Sequence, residues 1–447
     1  MSTEIEQDSL TEVMDEAVEP EARTIFAKGA RLAVLRFSQY GVLFLVGVIT
    51  SRALGPELRG QFALAATLGG VGFAIFNLSL HEAAGRLVAH RRIGFAQAGR
   101  LLVAGGIVLG LVGAAAVLAF GLATRGSLLN DLPVDLIVLG ALLVPAVTLQ
   151  HFGSSLLIRE GDLTGYGWIS LGAAVVQLVA VAALAIGELT PEAALGASIA
   201  GSLVGALALW LRIPGQAPTG DVAVGGPPLG ALTTTAFRIH GASLGIAMML
   251  GVDIILVAAF EDDRSVGLYS LAAALANLVF LGVSVISQAA LHTQTVAEEE
   301  GAADFTADFV RLSWIASIGV ATIVAVFAYP LIRVVYGTDF TGSVVSLIIL
   351  AFAAVAFAIE APLRAFLFRA RGPGVVSAIA GAGLILNIAL NVMLIPALGI
   401  AGAALASLIA YWLYAAVLLV RFRVVAAIPY RRVLRFRTTD IRAVLQR

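Results

Sequence analysis

No cysteine occurs anywhere in the 447 residues, and lysine occurs once, at Lys28. The first absence removes disulfides, thiolate metal sites and cysteine nucleophiles together. The second leaves arginine as nearly the only base. Charged residues of both signs make up 13% of the chain against 60% hydrophobic, and mean hydropathy is +0.97. A soluble protein of this length cannot clothe a core with so few charges, so the composition places the chain in a bilayer. The five histidines fall in no metal-binding spacing, and none of the 47 glycines forms a strand-to-helix nucleotide loop. Metal, ATP and dinucleotide chemistry are therefore not indicated. No cofactor is expected, with coupling to H+ or Na+ left open.

Long apolar runs fill the space that polar residues leave. Most reach the roughly 20 residues that a helix needs to cross a hydrocarbon core. Barrel strands would be shorter and would alternate in polarity, so the expected class is an all-α integral membrane protein. Twelve spans are expected, at 32–54, 62–84, 101–122, 136–157, 166–186, 193–211, 232–260, 266–291, 309–335, 344–368, 375–395 and 400–420. Residues 1–22 form an acidic segment, read as a disordered cytoplasmic tail and neither a signal peptide nor a span. The first lobe is expected at 23–213 and the second at 231–422. Between them 214–230 is Gly- and Pro-rich without helical period, which marks a linker. A basic tail, 423–447, follows.

One stretch is written twice. Residues 54–68 read LGPELRGQFALAATL and residues 261–275 read EDDRSVGLYSLAAAL. Placing Gly60 on Gly267 sets Phe62 on Tyr269, Leu64 on Leu271 and Leu68 on Leu275. Arg159 and Arg369 close corresponding spans, and the Ala197-Ser198 pair recurs at Ala406 and Ser407. Such self-similarity is the mark of internal duplication. Six spans per repeat is an even number, so the repeats are expected to run parallel about an axis along the membrane normal, as in transporters. The arginine bias of the short loops, decided by the C-terminal tail, places both termini on the cytoplasmic side of a cell membrane.

All loops are short, which leaves no room for a soluble catalytic domain and argues against an enzyme. Function is expected within the spans, where each ionisable group costs about 2.5–3.5 kcal/mol to insert. Arg36 and Arg238 lie at equivalent depth in the first span of each repeat and have no local acid. They read either as cavity cations or as side chains snorkelling to headgroups. Asp253 shares a span with Arg238 but lies roughly 22 Å along the helix from it. Glu360 and Arg364 are spaced i, i+4 around Pro362, which suits a helix-surface ion pair. Asn387 and Asn391 share one face of their helix, for substrate contact or interhelical hydrogen bonding. His81, Glu82 and Arg86 read as a solvated end of the second span. The basic tail suits anionic membrane lipids, and nothing points to nucleic acid.

Three segments carry a family resemblance: LGPELRGQF after the first span, the run from Asp253 to Phe260 leading into VGLYSLA, and LIPALGIAGAALAS from Leu394 to Ser407. They resemble the polysaccharide, Wzx-like flippases of the multidrug/oligosaccharidyl-lipid/polysaccharide exporter superfamily. The resemblance implies a V-shaped pair of six-helix bundles. It also implies movement of a polyprenyl-diphosphate-linked glycan to the outer leaflet by alternating access, for surface polysaccharide synthesis. Glycan polymerases or glycosyltransferases would be its partners. Twelve spans, where lipid II flippases have fourteen, argue against peptidoglycan precursor as cargo. Asp253 matches the acid that such proteins often carry in the seventh span. The rival readings are an H+- or Na+-coupled multidrug antiporter of the same superfamily, using Asp253 and Glu360, and a membrane glycosyltransferase. A diphosphate cannot cross hydrocarbon bare, and arginines in a wet cleft would replace its lost water with bidentate hydrogen bonds.

Overall fold

The computed structural model describes residues 2–89, 92–213, 229–277 and 301–434. Most of the expected 214–230 linker, Arg91, the latter part of the eighth span and the tail beyond 434 lie outside them. Among the described residues the chain is helical throughout, without strands. The elements are α1 (Ser2–Phe76), α2 (Leu80–Ala89), α3 (Phe95–Leu128), α4 (Val134–Arg159), α5 (Leu163–Leu184), α6 (Pro191–Arg212) and α7 (Leu229–Phe260). There follow α8 (263–277), α9 (Ala302–Leu331), α10 (Val344–Arg371), α11 (Pro373–Leu398), α12 (Ile400–Ala426) and the short α13 (Tyr430–Leu434). Among the described residues ten helices are long and apolar enough to cross a membrane, which makes this a multi-pass membrane protein. The acidic segment expected to be a disordered tail has helical backbone from Ser2 onward, as the leading part of α1.

Helix α1 is folded on itself at one residue. Gly55 has φ 68 and ψ 176, a combination open in practice only to glycine. Pro56, with its fixed φ and no N–H to satisfy, starts the second arm at once. Arg59 Nη1 donates to Ser51 Oγ at 2.7 Å, although eight residues of straight helix would separate them by about 12 Å. The connection expected between the spans 32–54 and 62–84 is therefore a single-residue reversal, with 56–60 already helical. A second correction concerns the span expected at 62–84, which stops at Phe76. Asn77 donates to the carbonyls of Phe73 and Ala74 at 2.8 and 3.0 Å and accepts from Ser79 N at 2.7 Å. With Leu78 and Ser79 at positive φ, this re-aims the chain into α2. His81, Glu82 and Arg86 thus sit on a separate helix.

Apolar side chains gain little from meeting each other in lipid, so close backbone approach and hydrogen bonds must hold the helices together. Gly60 and Gly267 illustrate this. A Cβ at Gly60 would collide with the carbonyl of Asp263, and one at Gly267 with the carbonyl of Pro56. Each glycine therefore lies over the carbonyl four residues before the other. The two residues matched by the sequence repeat face one another as mates, where the second arm of α1 crosses α8.

The two halves meet at both ends of this seam. At the Gly55 end, Gln61 and Asn130 donate to the two carboxylate oxygens of Asp263 at 2.9 and 2.7 Å. Arg52 caps the carbonyls of Val335 and Val334 at 2.7 and 2.6 Å. Those carbonyls end the π-helical turn Ile332–Tyr336 after α9, where helical partners run out. Below them Leu64, Leu68, Leu136 and Val144 pack against Val257, Tyr269, Leu275 and Leu347 in one apolar cluster. At the far end α2 lies against α7, with Ser79 Oγ 3.4 Å from His240 Nδ1 and Ser243 Oγ donating to Glu82 at 3.5 Å.

Candidate functional site

Four helices converge on Asp253. Its side chain, on α7, is 3% exposed. Tyr269 of α8 donates its hydroxyl to Oδ2 at 3.0 Å, Asn391 of α11 donates Nδ2 to Oδ1 at 3.1 Å, and Ser407 of α12 donates its hydroxyl to Oδ2. Asn387, one turn before Asn391, brings its amide beside the same carboxylate without completing a hydrogen bond. Asn391 Oδ1 likewise has no partner among the described residues. Every group around the acid is neutral, and no base pairs with it among the described residues. A carboxylate at this depth needs a proton or a cation beside it. The surrounding oxygens, one carboxylate with amide and hydroxyl atoms, suit a small hard cation. A cavity of about 30 Å³, bordered by Asp253, Tyr269, Asn277, Phe357 and Tyr411, has room for about one water or a small ion.

Helix α12 aligns this group with a second one. Ser407, Tyr411 and Tyr414 recur at helical spacing on one face. Ser407 meets Asp253, Tyr411 donates to the Met249 carbonyl at 2.5 Å, and Tyr414 donates to Glu360 Oε1 at 3.2 Å. Glu360, 2% exposed, also accepts Arg364 Nε at 2.5 Å. The ion pair expected from the i, i+4 spacing is thus present, and its arginine keeps a third of its side-chain surface open, 33%.

The two arginines expected to share a cavity are not brought together. Arg36 is half-buried between α1 and α5, where Nη1 donates to Gln39 at 2.6 Å and Nη2 to the Tyr40 hydroxyl. Its guanidinium carbon lies 4.7 and 5.5 Å from the ring centroids of Tyr40 and Tyr166, within cation–π range. Arg238 is exposed on α7, where its carbonyl accepts from Ser377 Oγ at 3.4 Å. Equal depth in two helices fixed neither which way each faces nor what each meets. In place of an arginine-lined cleft, the apolar cluster fills the seam at the Gly55 end.

Sequence reasoning missed Tyr269, Tyr411 and Tyr414. Tyr269 was legible as the hydroxylated mate of Phe62, and Tyr411 and Tyr414 as the continuation of the Ser407 face. Outside the spans, burial alone would raise the carboxyl of Asp162, but Arg212 at 2.6 Å and the Gly165 N–H at 2.9 Å outweigh it and hold it below the usual carboxylate range. That residue caps α5 and ties it to the end of α6.

Against known proteins, a family model described as "Polysaccharide biosynthesis protein" matches residues 100–345. No curated protein matches the chain by sequence. Among solved structures, the lipid II flippase MurJ in an inward closed conformation is similar with a TM-score of 0.66 and 14% identity, over 93% of this chain and 91% of that one. An inward-facing multidrug resistance MATE family transporter of the MOP superfamily gives 0.58 and 16%, over 88% and 98%. A MOP superfamily transporter from Pyrococcus furiosus, described by the reverse polarity of its binding pocket, gives 0.55 and 16%, over 90% and 95%. At these identities the likeness carries the fold and leaves the cargo open.

Proposed function

This chain belongs to the polysaccharide biosynthesis protein family, and on that premise we propose that it is a flippase. It moves a polyprenyl-diphosphate-linked oligosaccharide from the cytoplasmic to the outer leaflet of the cell membrane. The observation that carries the reading is a polysaccharide-synthesis family match on a chain whose fold is that of MurJ and MATE transporters. Twelve passes in two parallel six-helix lobes are part of the proposal. The mutual packing of Gly60 and Gly267 supports it, as does the folding of the first apolar helix into two passes at Gly55. Both termini are placed in the cytoplasm, which makes the Gly55 end the outer one.

In mechanism, the lobes rock about the seam. Opening the outer end releases Arg52 from the Val334 and Val335 carbonyls and Asp263 from Gln61 and Asn130. Opening the inner end parts α2 from α7. A ligand that both states bound equally would shift neither, so direction requires a second, directional input. The Asp253 group supplies it by holding H+ or Na+, a transported ion that its oxygens suit. Burial of the acid among the hydroxyls of α8 and α12 and the amides of α11 couples ion binding to how those helices pack. Glycan polymerases or glycosyltransferases would take up the product.

Deletion of the gene in its own host tests this. Accumulation of lipid-linked oligosaccharide on the cytoplasmic side, with loss of surface glycan, is the expected result. A strain with normal surface glycan and no accumulated precursor would rule the flippase out. The second reading is an ion-coupled multidrug antiporter, favoured by the MATE likeness and by a buried acid, Asp253, that no base pairs with among the described residues. Efflux of fluorescent organic cations, abolished by Asp253→Asn while glycan export persists, would establish it instead.

A further inference from the structure

Glu82 gathers positive charge without binding any of it. It stands in the first turn of α2, which the Asn77–Ser79 break carries across to α7. Its carboxylate lies 3.9 Å from His81 Nε2 and accepts from Ser243 Oγ at 3.5 Å. Its charge acts on Arg159 of its own half and on Arg364 of the other, yet no arginine comes within ion-pair distance of it among the described residues. Both arginines are held ready. Glu360 fixes Arg364 through Nε at 2.5 Å, and among the described residues no hydrogen bond is made by the terminal fork of the guanidinium. Arg159 lies flat on α2, where a Cβ at Gly85 would overlap its Nε, Cδ and Cζ atoms. Arg159 thus lies one turn along α2 from Glu82, and the charge of Glu82 reaches Arg364 of the other half.

We propose that Glu82 is a built-in substitute for the cargo's phosphate: it balances Arg159 and Arg364 in the empty transporter, and the diphosphate displaces it on binding. The inference rests on the flippase reading and names the residues that receive the headgroup. A diphosphate carries about two negative charges and offers each arginine a bidentate partner, so it outcompetes one carboxylate that pairs with neither. When the cargo leaves, Glu82 restores the balance of charge. The inner end can then close without a load, which every return stroke requires.

The test uses the whole protein in lipid nanodiscs, with geranyl diphosphate as the probe and a fluorescence-detected binding titration. Glu82→Gln should bind the probe about tenfold more tightly, because the competitor is gone, while glycan export in cells falls through slowed return. Glu82→Asp, which keeps the charge, should stay close to the unaltered protein, and Arg159→Gln and Arg364→Gln should bind more weakly. Unchanged or weaker binding by Glu82→Gln, alongside weakened arginine variants, would overturn the substitution and leave the flippase reading standing. Failure of the unaltered protein to bind the diphosphate would remove both.

Discussion

Where the second half buries Asp253 among Tyr269, Asn391 and Ser407, the first half packs Val46 with Val181, Ala197 and Phe62. The register that sets Gly60 on Gly267 sets Val46 on Asp253 and Phe62 on Tyr269. Among the described residues the bond from Gln177 to Ser198, 2.8 Å, keeps a polar trace of the same place in the first half. At these matched positions the packing glycines are shared and the buried acid is not. Scaffold positions answer to backbone contact, which admits only small residues at the crossing. The buried polar group is expensive in lipid, and on the proposed mechanism a single directional input needs it once.

Removing the difference at its centre should have the largest effect. Asp253→Asn keeps the shape and deletes the charge, and gradient-driven glycan export should fall on the order of a hundredfold, in line with the roughly 3 kcal/mol of a charged hydrogen-bonded group. Val46→Ala at the matching place should leave export near normal. Breaking the shared part should instead act on both halves alike. Gly60→Leu and Gly267→Leu each drive a side chain into a carbonyl of the other half, and each should cost about 3 kcal/mol or more. Thermal unfolding in detergent, with equal losses for the pair, checks this; unequal losses would argue against mutual packing.

A milder change makes the second half more like the first. Tyr269→Phe installs the residue found at position 62 and removes one donor from Asp253, so transport should fall about tenfold at unchanged expression. The smallest effect belongs outside the membrane. Asp162→Asn, which keeps a capping oxygen, should cost about 1 kcal/mol or less at neutral pH from loss of an exposed ion pair. Because the folded carboxyl is held below its ordinary value, the stabilisation is complete above the unfolded pKa and is lost as pH falls through the folded one. Melting curves of the two proteins should therefore converge in acid.

Much of this was legible in the sequence, for identifiable reasons. Apolar runs mark spans because length and hydropathy are local properties. Gly60 on Gly267 marked the crossing because contact at that distance permits little else. Asp253, Glu360, Asn387 and Asn391 stood out as polar residues in apolar runs. Their grouping was not legible, since it depends on how α7, α8, α11 and α12 pack. Nor was the break at Asn77–Ser79, inside a stretch that reads FNLSL and keeps its hydropathy. That break decides whether Glu82 ends a span or reaches across the seam. Nor was the direction in which Arg36 and Arg238 face, because depth says nothing of azimuth.

The most direct measurement is flipping itself, in liposomes that contain only this protein and a fluorescent polyprenyl-diphosphate oligosaccharide, followed by the label's accessibility to an impermeant quencher. An imposed H+ or Na+ gradient should speed transfer between leaflets with the unaltered protein and leave it at the protein-free rate with Asp253→Asn. Transfer no faster than in empty liposomes, or equally fast in the variant, would contradict an ion-driven flippase centred on Asp253.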